Sequence, residues 1–307
     1  MKIHCIYHHP CADGFGAAWV VNRALKARRT PVEFHQGIYQ NAPPEIYDSI
    51  VLLVDFSYKR HVMKALALNR NIVLVLDHHA TAMKDLTPNV ADKIYAAPDP
   101  KNVSWQTFLD SLEYDSGGDI YTIFDMDRSG AGLAWDFFNP GVERPKLIDH
   151  LEDRDLWRFK LPHTREIQAC TFSQPYEFEH YDGLVHRVAD PFALELVIRE
   201  GEAIERKHFK DIDELVGVVT RPMKFRAPWL DGPAPADRGF MVVPMANLPY
   251  TLTSDAGHVL CGRGLFGETP AAYSEHTFAG CYWDTPDGRQ FSLRSRDDGV
   301  DVGEIAK

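Results

Sequence analysis

The chain has 307 residues, 45% of them hydrophobic, and a formal net charge of −11, which allows one large core or two moderate ones and disfavours non-specific binding to long nucleic acid, where affinity comes from phosphate neutralisation. No stretch is long and apolar enough to span a bilayer, and the apolar segment at the N-terminus is too short for a signal sequence, so a cytoplasmic protein without membrane partners is expected. Five widely spaced cysteines without a C-x-x-C pair argue against a disulfide framework or a zinc knuckle and for free thiols.

Lys2 to Tyr7 reads as a first strand, followed by the polar loop His8-His9-Pro10-Cys11-Ala12-Asp13-Gly14 and a helix over Phe15 to Ala27. Gly14 is expected to be the turn that lets this helix start beside Asp13. Ile50 to Asp55 repeats the pattern, an apolar strand ending in aspartate, with a helical stretch over Lys59 to Leu68. Val73-Leu74-Val75-Leu76-Asp77-His78-His79 then gives an apolar run without alternation, as in a parallel strand covered on both faces, and ends in one carboxylate and two imidazoles. Open α/β sheets gather their ligands at the carboxyl ends of strands. Three strands in the first eighty residues therefore deliver carboxylates or imidazoles to one edge.

Prolines 88, 98 and 100 interrupt any period after Ala80, although Ser104 to Leu112 suits a short helix. Ile120 to Phe124 reads as a strand, and Ser129-Gly130-Ala131-Gly132 as a capped helix start. Lys146 to Glu152 is helical and leads into the acidic cluster Glu152-Asp153-Arg154-Asp155, with Trp157 and Phe159 packing beside it. Pro191 to Val216 is the longest helical pattern, and the texture changes after Gly217 to strands and turns. Met241 to Met245 is strand-like, and Thr277 to Trp283 with Gln290 to Arg294 flank the hairpin signal Thr285-Pro286-Asp287-Gly288. The expected organisation is an α/β fold. A parallel-sheet domain over 1–188 is joined by a connecting helix over 189–216 to a smaller mixed α/β domain over 217–307.

A dinuclear metal site needs hard oxygen and imidazole ligands on rigid elements, with one carboxylate able to bridge ions roughly 3.5–4 Å apart. Asp13, Asp55, Asp77, His78, His79 and Asp153, with His8 or His9, supply those types. Taken singly each has a plainer reading. An aspartate at a strand end is often a helix N-cap, and a charge run is usually a solvated helix face. The succession of ligand types at three strand ends is what points to metal-assisted phosphoester hydrolysis. Gly14-Phe15-Gly16 does not extend to G-x-G-x-x-G, and no Walker motif follows the strands.

These residues resemble the DHH phosphoesterases, named for the triplet found here as Asp77-His78-His79. The likeness includes His9-Pro10-Cys11-Ala12-Asp13-Gly14, Asp55 after its strand, Asp153 in Glu152-Asp153-Arg154-Asp155-Leu156-Trp157, and Ser292-Leu293-Arg294-Ser295, which looks like part of a substrate-binding domain of the oligoribonuclease-like branch. It covers nearly the whole chain. The resemblance implies a two-manganese phosphodiesterase or phosphatase acting on short oligonucleotides or small nucleotides, with the active site in a cleft between the two domains. Magnesium, cobalt or zinc are the other ions such ligands admit.

Carried onto this sequence, one ion falls to His9, Asp55 and the position of Cys11, and the other to Asp13, Asp55, His78 and Asp153, with Asp55 as the bridge; the choices of His8 against His9 and of Asp153 against Asp155 stay open. His79 is implied beside the phosphate oxygens and Asp77 behind a histidine, orienting it. Arg294, Ser295 and Arg296 are implied in substrate binding, the arginines through their planar donor forks. Two departures stand out. Cys11 occupies a place where an aspartate is common in the family, and the family's glycine-rich GGGH-type motif is not found before Lys307. The second makes the smaller domain a shortened DHHA1-like one, with a weakened grip on substrate. It leaves open cyclic dinucleotides, nucleoside bisphosphates or polyphosphate as substrates, and a catalytically impaired nucleotide-binding protein as the non-enzymatic reading. Oligomeric state is open, a homo-oligomer included.

Overall fold

The structure is a computed structural model. It describes all residues except 98, 114–115, 227–239, 262–277, 287, 297–298 and 306–307, and the side chains at 225, 226, 240–242 and 304 are also not described. The chain divides into two compact units, Met1–Ile204 and Glu205–Lys307. Among the described residues no helix is long and apolar enough to cross a membrane.

The first unit is built on six strands, β1 (Lys2–His8), β2 (Val32–Gly37), β3 (Ser49–Val54), β4 (Ile72–Asp77), β5 (Ile94–Ala96) and β6 (Ile120–Phe124). They pair in parallel in the order β2-β1-β3-β4-β6-β5. Successive side chains on a strand point to opposite faces, so a strand covered on both sides must be apolar throughout. That is why Ile50, Leu52 and Val54 enter one core with Ile72, Leu74 and Leu76, while Val51 and Leu53 enter the other with Val73 and Val75. Every residue of β3 and β4 is buried. On one face lie α1 (Ala12–Ala27) and α5 (Gly130–Phe138), and on the other α2 (Arg60–Leu68) buries Met63, Leu66 and Ala67. The edge strand β2, half-polar in sequence, is not foreseen by its pattern.

The strand order places the site. From β1 the chain moves outward to β2, then returns past β1 to β3 on its other side. The loops leaving β1 and β3 therefore diverge, and the carboxyl ends of these two strands border the switch point where open α/β sheets bind ligands. His8 ends β1 and Asp55 follows β3.

Helices α3 (Ala80–Asp85), α4 (Trp105–Asp110), α6 (Lys146–Asp155), α7 (Thr164–Phe172) and α8 (Phe178–Ala189) complete the first unit. The long α9 (Pro191–Val219) spans the division between the units. Asp190 caps its start by accepting from Phe192 N and Ala193 N at 3.0 and 2.8 Å, and proline at the first helical position fits because its missing N–H would be unpaired there anyway. Val197 lies in the core of the first unit, Ile212 and Val216 in that of the second.

The second unit holds a mixed sheet in the order β10-β9-β8-β7, from β7 (Thr220–Arg226), β8 (Phe240–Asn247), β9 (Phe278–Thr285) and β10 (Gly288–Ser295), with α10 (Thr253–Leu260) and a short α11 (Val302–Ile305). β9 and β10 form the hairpin read from sequence, with Gly288 opposite Thr285 and at φ +134°, a value that favours glycine. Thr277 and the turn residue Asp287 lie outside the described residues. The five cysteines are free, and all but the half-buried Cys11 are buried.

Candidate metal centre

Asp55 occupies the middle of a polar cluster at the strand ends. Its backbone is left-handed, at φ +54°, a region sparsely used by residues other than glycine, and its side chain is only 2% exposed. One carboxylate oxygen, Oδ1, stands 3.0 Å from His78 Nε2 and 3.9 Å from His79 Nδ1, and the other, Oδ2, stands 3.4 Å from His8 Nδ1. Burial pushes the Asp55 pKa up, but the hydrogen bond from His78 and the neighbouring imidazoles of His8 and His79 overcome it and hold the carboxyl well below its usual range.

The His78–His79 backbone is held, and the His79 ring aimed, by Asp77, which is completely buried. Its Oδ1 accepts from His78 N at 2.7 Å, from His79 N at 3.2 Å and from the His79 ring at 2.6 Å through Nδ1. Burial opposes the charge on both imidazoles. In His78 the bond to Asp55 and the charges of Asp155, Asp55 and Asp13 win, lifting its pKa to about 10. In His79 the bond to Asp77 lifts it to about 9.

Asp13 is positioned from two directions. α1 starts at Ala12, three residues earlier than its apolar pattern indicates, so Asp13 sits in the first helical turn. Its carboxylate then receives Gly130 N at 2.6 Å and Ala131 N at 3.1 Å from the start of α5, whose Ser129 N-cap accepts from Gly132 N. Unpaired N–H groups at a helix start favour an anion there. Even so, burial and the charges of Asp155 and Asp55 raise the Asp13 pKa well above its ordinary value. Two glycines make this crowding feasible. A Cβ on Gly130 would lie 2.4 Å from Asp55 Cβ, and one on Gly14 would lie 2.4 Å from the His8 carbonyl oxygen. Gly14 thus belongs to the first turn of α1, and close approach to β1 requires it there rather than a turn before the helix.

The cluster resolves into two overlapping sets. Ligand-type atoms of His8, Asp55 and His79 lie within 4.8 Å of one another, as do those of Asp13, Asp55 and His78. Asp55 is common to both, and its two oxygens suit a bridging carboxylate. The donors fit divalent cations in a further respect: His8 Nδ1 and Asp77 Oδ2 are buried without a hydrogen-bond partner, an arrangement that costs energy unless something else satisfies them.

Other expected ligands fall elsewhere. His9 is wedged edge-on between Tyr7 and Tyr176, with ring centroids 6.2 Å from each, its Nδ1 buried and unpartnered; His8 is the imidazole that reaches Asp55. Burial, then the charge of His8, lowers the His9 pKa. Cys11 precedes α1 as its N-cap without a side-chain cap bond and joins neither ligand set. Burial, with the charges of Asp55, Asp155 and Asp13, pushes its thiol pKa well up and keeps the proton on sulfur.

The structure does not bring Asp153 to the cluster. Its carboxylate accepts from Lys160 N at 2.8 Å, Leu161 N at 3.1 Å and Thr164 Oγ1 at 2.6 Å, closing the turn between α6 and α7. Burial pushes the Asp153 carboxyl up, but these bonds prevail and hold it low. Asp155 stands at the cluster instead, with Oδ2 3.4 Å from His78 Nε2 and its pKa raised by burial and by Asp55. Glu152 points a third way, accepting from Ser129 N at 3.1 Å and pairing with Arg144 at 3.1 Å, so it braces the start of α5.

Arg294, Ser295 and Arg296 belong to the second unit. Arg294 Nη1 donates to Leu293 O at 2.9 Å, its stem packs over Gly257, and burial lowers its pKa. Ser295 Oγ donates to Arg296 O at 3.1 Å.

No protein-family model matches the chain. It is 26% identical, over 321 aligned residues covering 98% of its length, to uncharacterized protein R106 of Acanthamoeba polyphaga mimivirus, and it spans 63% of that relative. Among solved structures it is similar to RecJ in complex with Mn2+ from Thermus thermophilus, with 15% identity, a TM-score of 0.33 and coverage of 70% of this chain and 36% of that one. It is also similar to an exopolyphosphatase-related protein from Bacteroides fragilis, with 11% identity, a TM-score of 0.33 and coverage of 96% and 79%. At those TM-scores neither structural likeness bears on the reading of the site.

Proposed function

We propose that the chain is a metal-dependent phosphoesterase of the DHH kind, with short oligonucleotides or small nucleotides as substrates and Asp55 as the carboxylate shared by two divalent cations. The observation that supports this reading is the overlap of the His8, Asp55, His79 set with the Asp13, Asp55, His78 set. Bound divalent cations supply Lewis acidity toward a phosphoryl group and lower the pKa of water.

The chain's own groups do the rest. Asp77 fixes the orientation of the His79 ring and holds the backbone of His78, and the N-terminus of α5 holds Asp13. Asp155 extends the acidic side of the site next to His78. His79, one-third exposed, presents its ring toward solvent, where a phosphate oxygen would arrive. Manganese suits the mixture of carboxylate and imidazole, and magnesium, cobalt and zinc are the competitors to compare. Arg294, Ser295 and Arg296 are proposed to contact the substrate's phosphate or sugar.

The test is hydrolysis of di- to pentanucleotides, with cyclic dinucleotides, a nucleoside bisphosphate and polyphosphate in the same panel, with and without Mn2+ and with Asp55→Ala as control. Metal-stimulated turnover of a nucleotide phosphoester that the variant lacks supports the reading. Equal turnover by the variant, or none of any phosphoester with added metal, overturns it.

A further inference from the structure

A second cluster of metal-ligand types lies at the far edge of the same sheet, outside the centre described above. β1 and β2 pair in parallel with His4 opposite Glu33 and Ile6 opposite His35. Residues two apart on a strand share a face, so Glu33, His35 and His4 converge on one side of the sheet. His4 Nδ1 is 3.0 Å from His35 Nε2, Glu33 Oε2 is 3.6 Å from His4 Nδ1, and Glu33 Oε1 is 3.8 Å from His35 Nε2. Ligand-type atoms of all three lie within 4.8 Å of one another.

We propose that His4, Glu33 and His35 form a second metal site, taking a single divalent ion of the imidazole-favouring class, zinc above all, at the edge of the sheet. Metal–nitrogen bonds of about 2.0–2.1 Å in a tetrahedral shell set neighbouring ligand atoms roughly 3.3–3.4 Å apart, a value the observed separations bracket. Two imidazoles and one carboxylate provide three protein ligands and leave the fourth position to water. Access is graded: His4 is buried at 8% exposure, whereas the Glu33 side chain is 67% exposed and can swing onto an arriving ion.

An edge strand does carry polar and charged residues simply to discourage pairing with another chain. That need is met by polarity alone and does not call for three ligand atoms aimed at one point, one of them on a buried histidine. The ion would tie β2 to β1, and β2 leads on to Tyr39, whose ring meets His8 at 5.2 Å between centroids. Counted along β1 at about 3.3 Å per residue, His4 lies roughly 13 Å from His8, too far for the two sites to share an ion.

The experiment is a zinc titration of the full chain against a competing chelating indicator, with Co2+ absorption as an independent measure of tetrahedral binding. Four proteins are compared: the unchanged chain, Glu33→Gln, His4→Asn with His35→Asn, and Asp55→Asn. Removing both histidines is expected to abolish one equivalent of zinc, and Glu33→Gln, at an exposed position that leaves folding intact, to weaken that equivalent at least about tenfold. Asp55→Asn is expected to retain it. If Glu33→Gln and the double histidine variant bind as much zinc as tightly as the unchanged chain, the proposal is wrong. Failure of the Asp55 centre would show separately, as Asp55→Asn losing no metal at all.

Discussion

Asp55 and His78 meet at 3.0 Å across two adjacent parallel strands, each residue lying just beyond the buried end of its own strand. Register produces this contact: Val54 pairs with Leu76, so the next residues outward are Asp55 on one strand and Asp77 followed by His78 on the other. The left-handed backbone at Asp55 then turns its carboxylate into the space that His8, His79 and Asp13 also border.

Asp55→Asn keeps the size of the side chain, and asparagine tolerates the left-handed backbone better than most residues, so the fold is expected to survive. Removing the shared charge should lower metal-stimulated hydrolysis by at least about a hundredfold, the upper end of what loss of even a supporting partner of a ligand costs. Steady-state rates with Mn2+, alongside circular dichroism to verify folding, check this.

Asp155 and Asp153 are expected to separate function from stability. Asp155→Asn should weaken Mn2+ binding and turnover while leaving the thermal midpoint nearly unchanged, because its carboxylate borders the cluster. Asp153→Ala removes the acceptor for two backbone amides and the Thr164 hydroxyl and should cost on the order of 3 kcal/mol in denaturant unfolding. A reversal of the two outcomes would return the ligand role to Asp153.

Much of this is legible in the sequence, and what is not has a common cause. Apolar runs without alternation at 50–54 and 72–76 identify buried parallel strands, and their polar ends point to the candidate site. Choosing between neighbours requires knowing which way a side chain faces. His8 and His9 are adjacent at a strand end, and only tertiary structure turns one to Asp55 and the other into the rings of Tyr7 and Tyr176. Asp153 and Asp155 lie about 200° apart around a helix, so one approach to the site excludes the other. The amides of Gly130 and Ala131 that hold Asp13 come from a helix start more than a hundred residues away, and its small residues were the one available sign. β2 eluded the pattern because an edge strand covered on few sides need not be apolar.

Gly130→Ala tests the crowding at that helix start. A methyl group 2.4 Å from Asp55 Cβ and 2.9 Å from Asp13 Oδ2 must displace one carboxylate or the helix. The expected result is a loss of about 1–3 kcal/mol in stability and a larger proportional loss of activity, since both displaced groups are in the ligand sets. Ala131→Gly at the neighbouring amide, which adds no atoms, is the control for backbone effects.

Metal affinity should rise with pH. In the metal-free protein His78 and His79 hold protons up to about 10 and about 9, and Asp13 also has a raised pKa, so cations compete with protons for these groups. Calorimetric titration with Mn2+ between pH 6 and 8, in buffers of different ionisation enthalpy, is expected to show protons released on binding and tighter binding at the higher pH. The metal-free fold follows the opposite course. Histidine pKa values raised above 6.5 give stability that is complete below 6.5 and is lost as pH climbs through about 9 and 10, while the lowered value of Asp55 gives stability lost on acidification below its ordinary range.

Anomalous diffraction at the manganese edge, from crystals of the chain soaked in Mn2+, reaches the shared carboxylate most directly. Two peaks are predicted, both within bonding distance of Asp55, one beside His8 and His79 and the other beside Asp13 and His78. A single peak, or two peaks of which either leaves Asp55 uncoordinated, would contradict the bridging role.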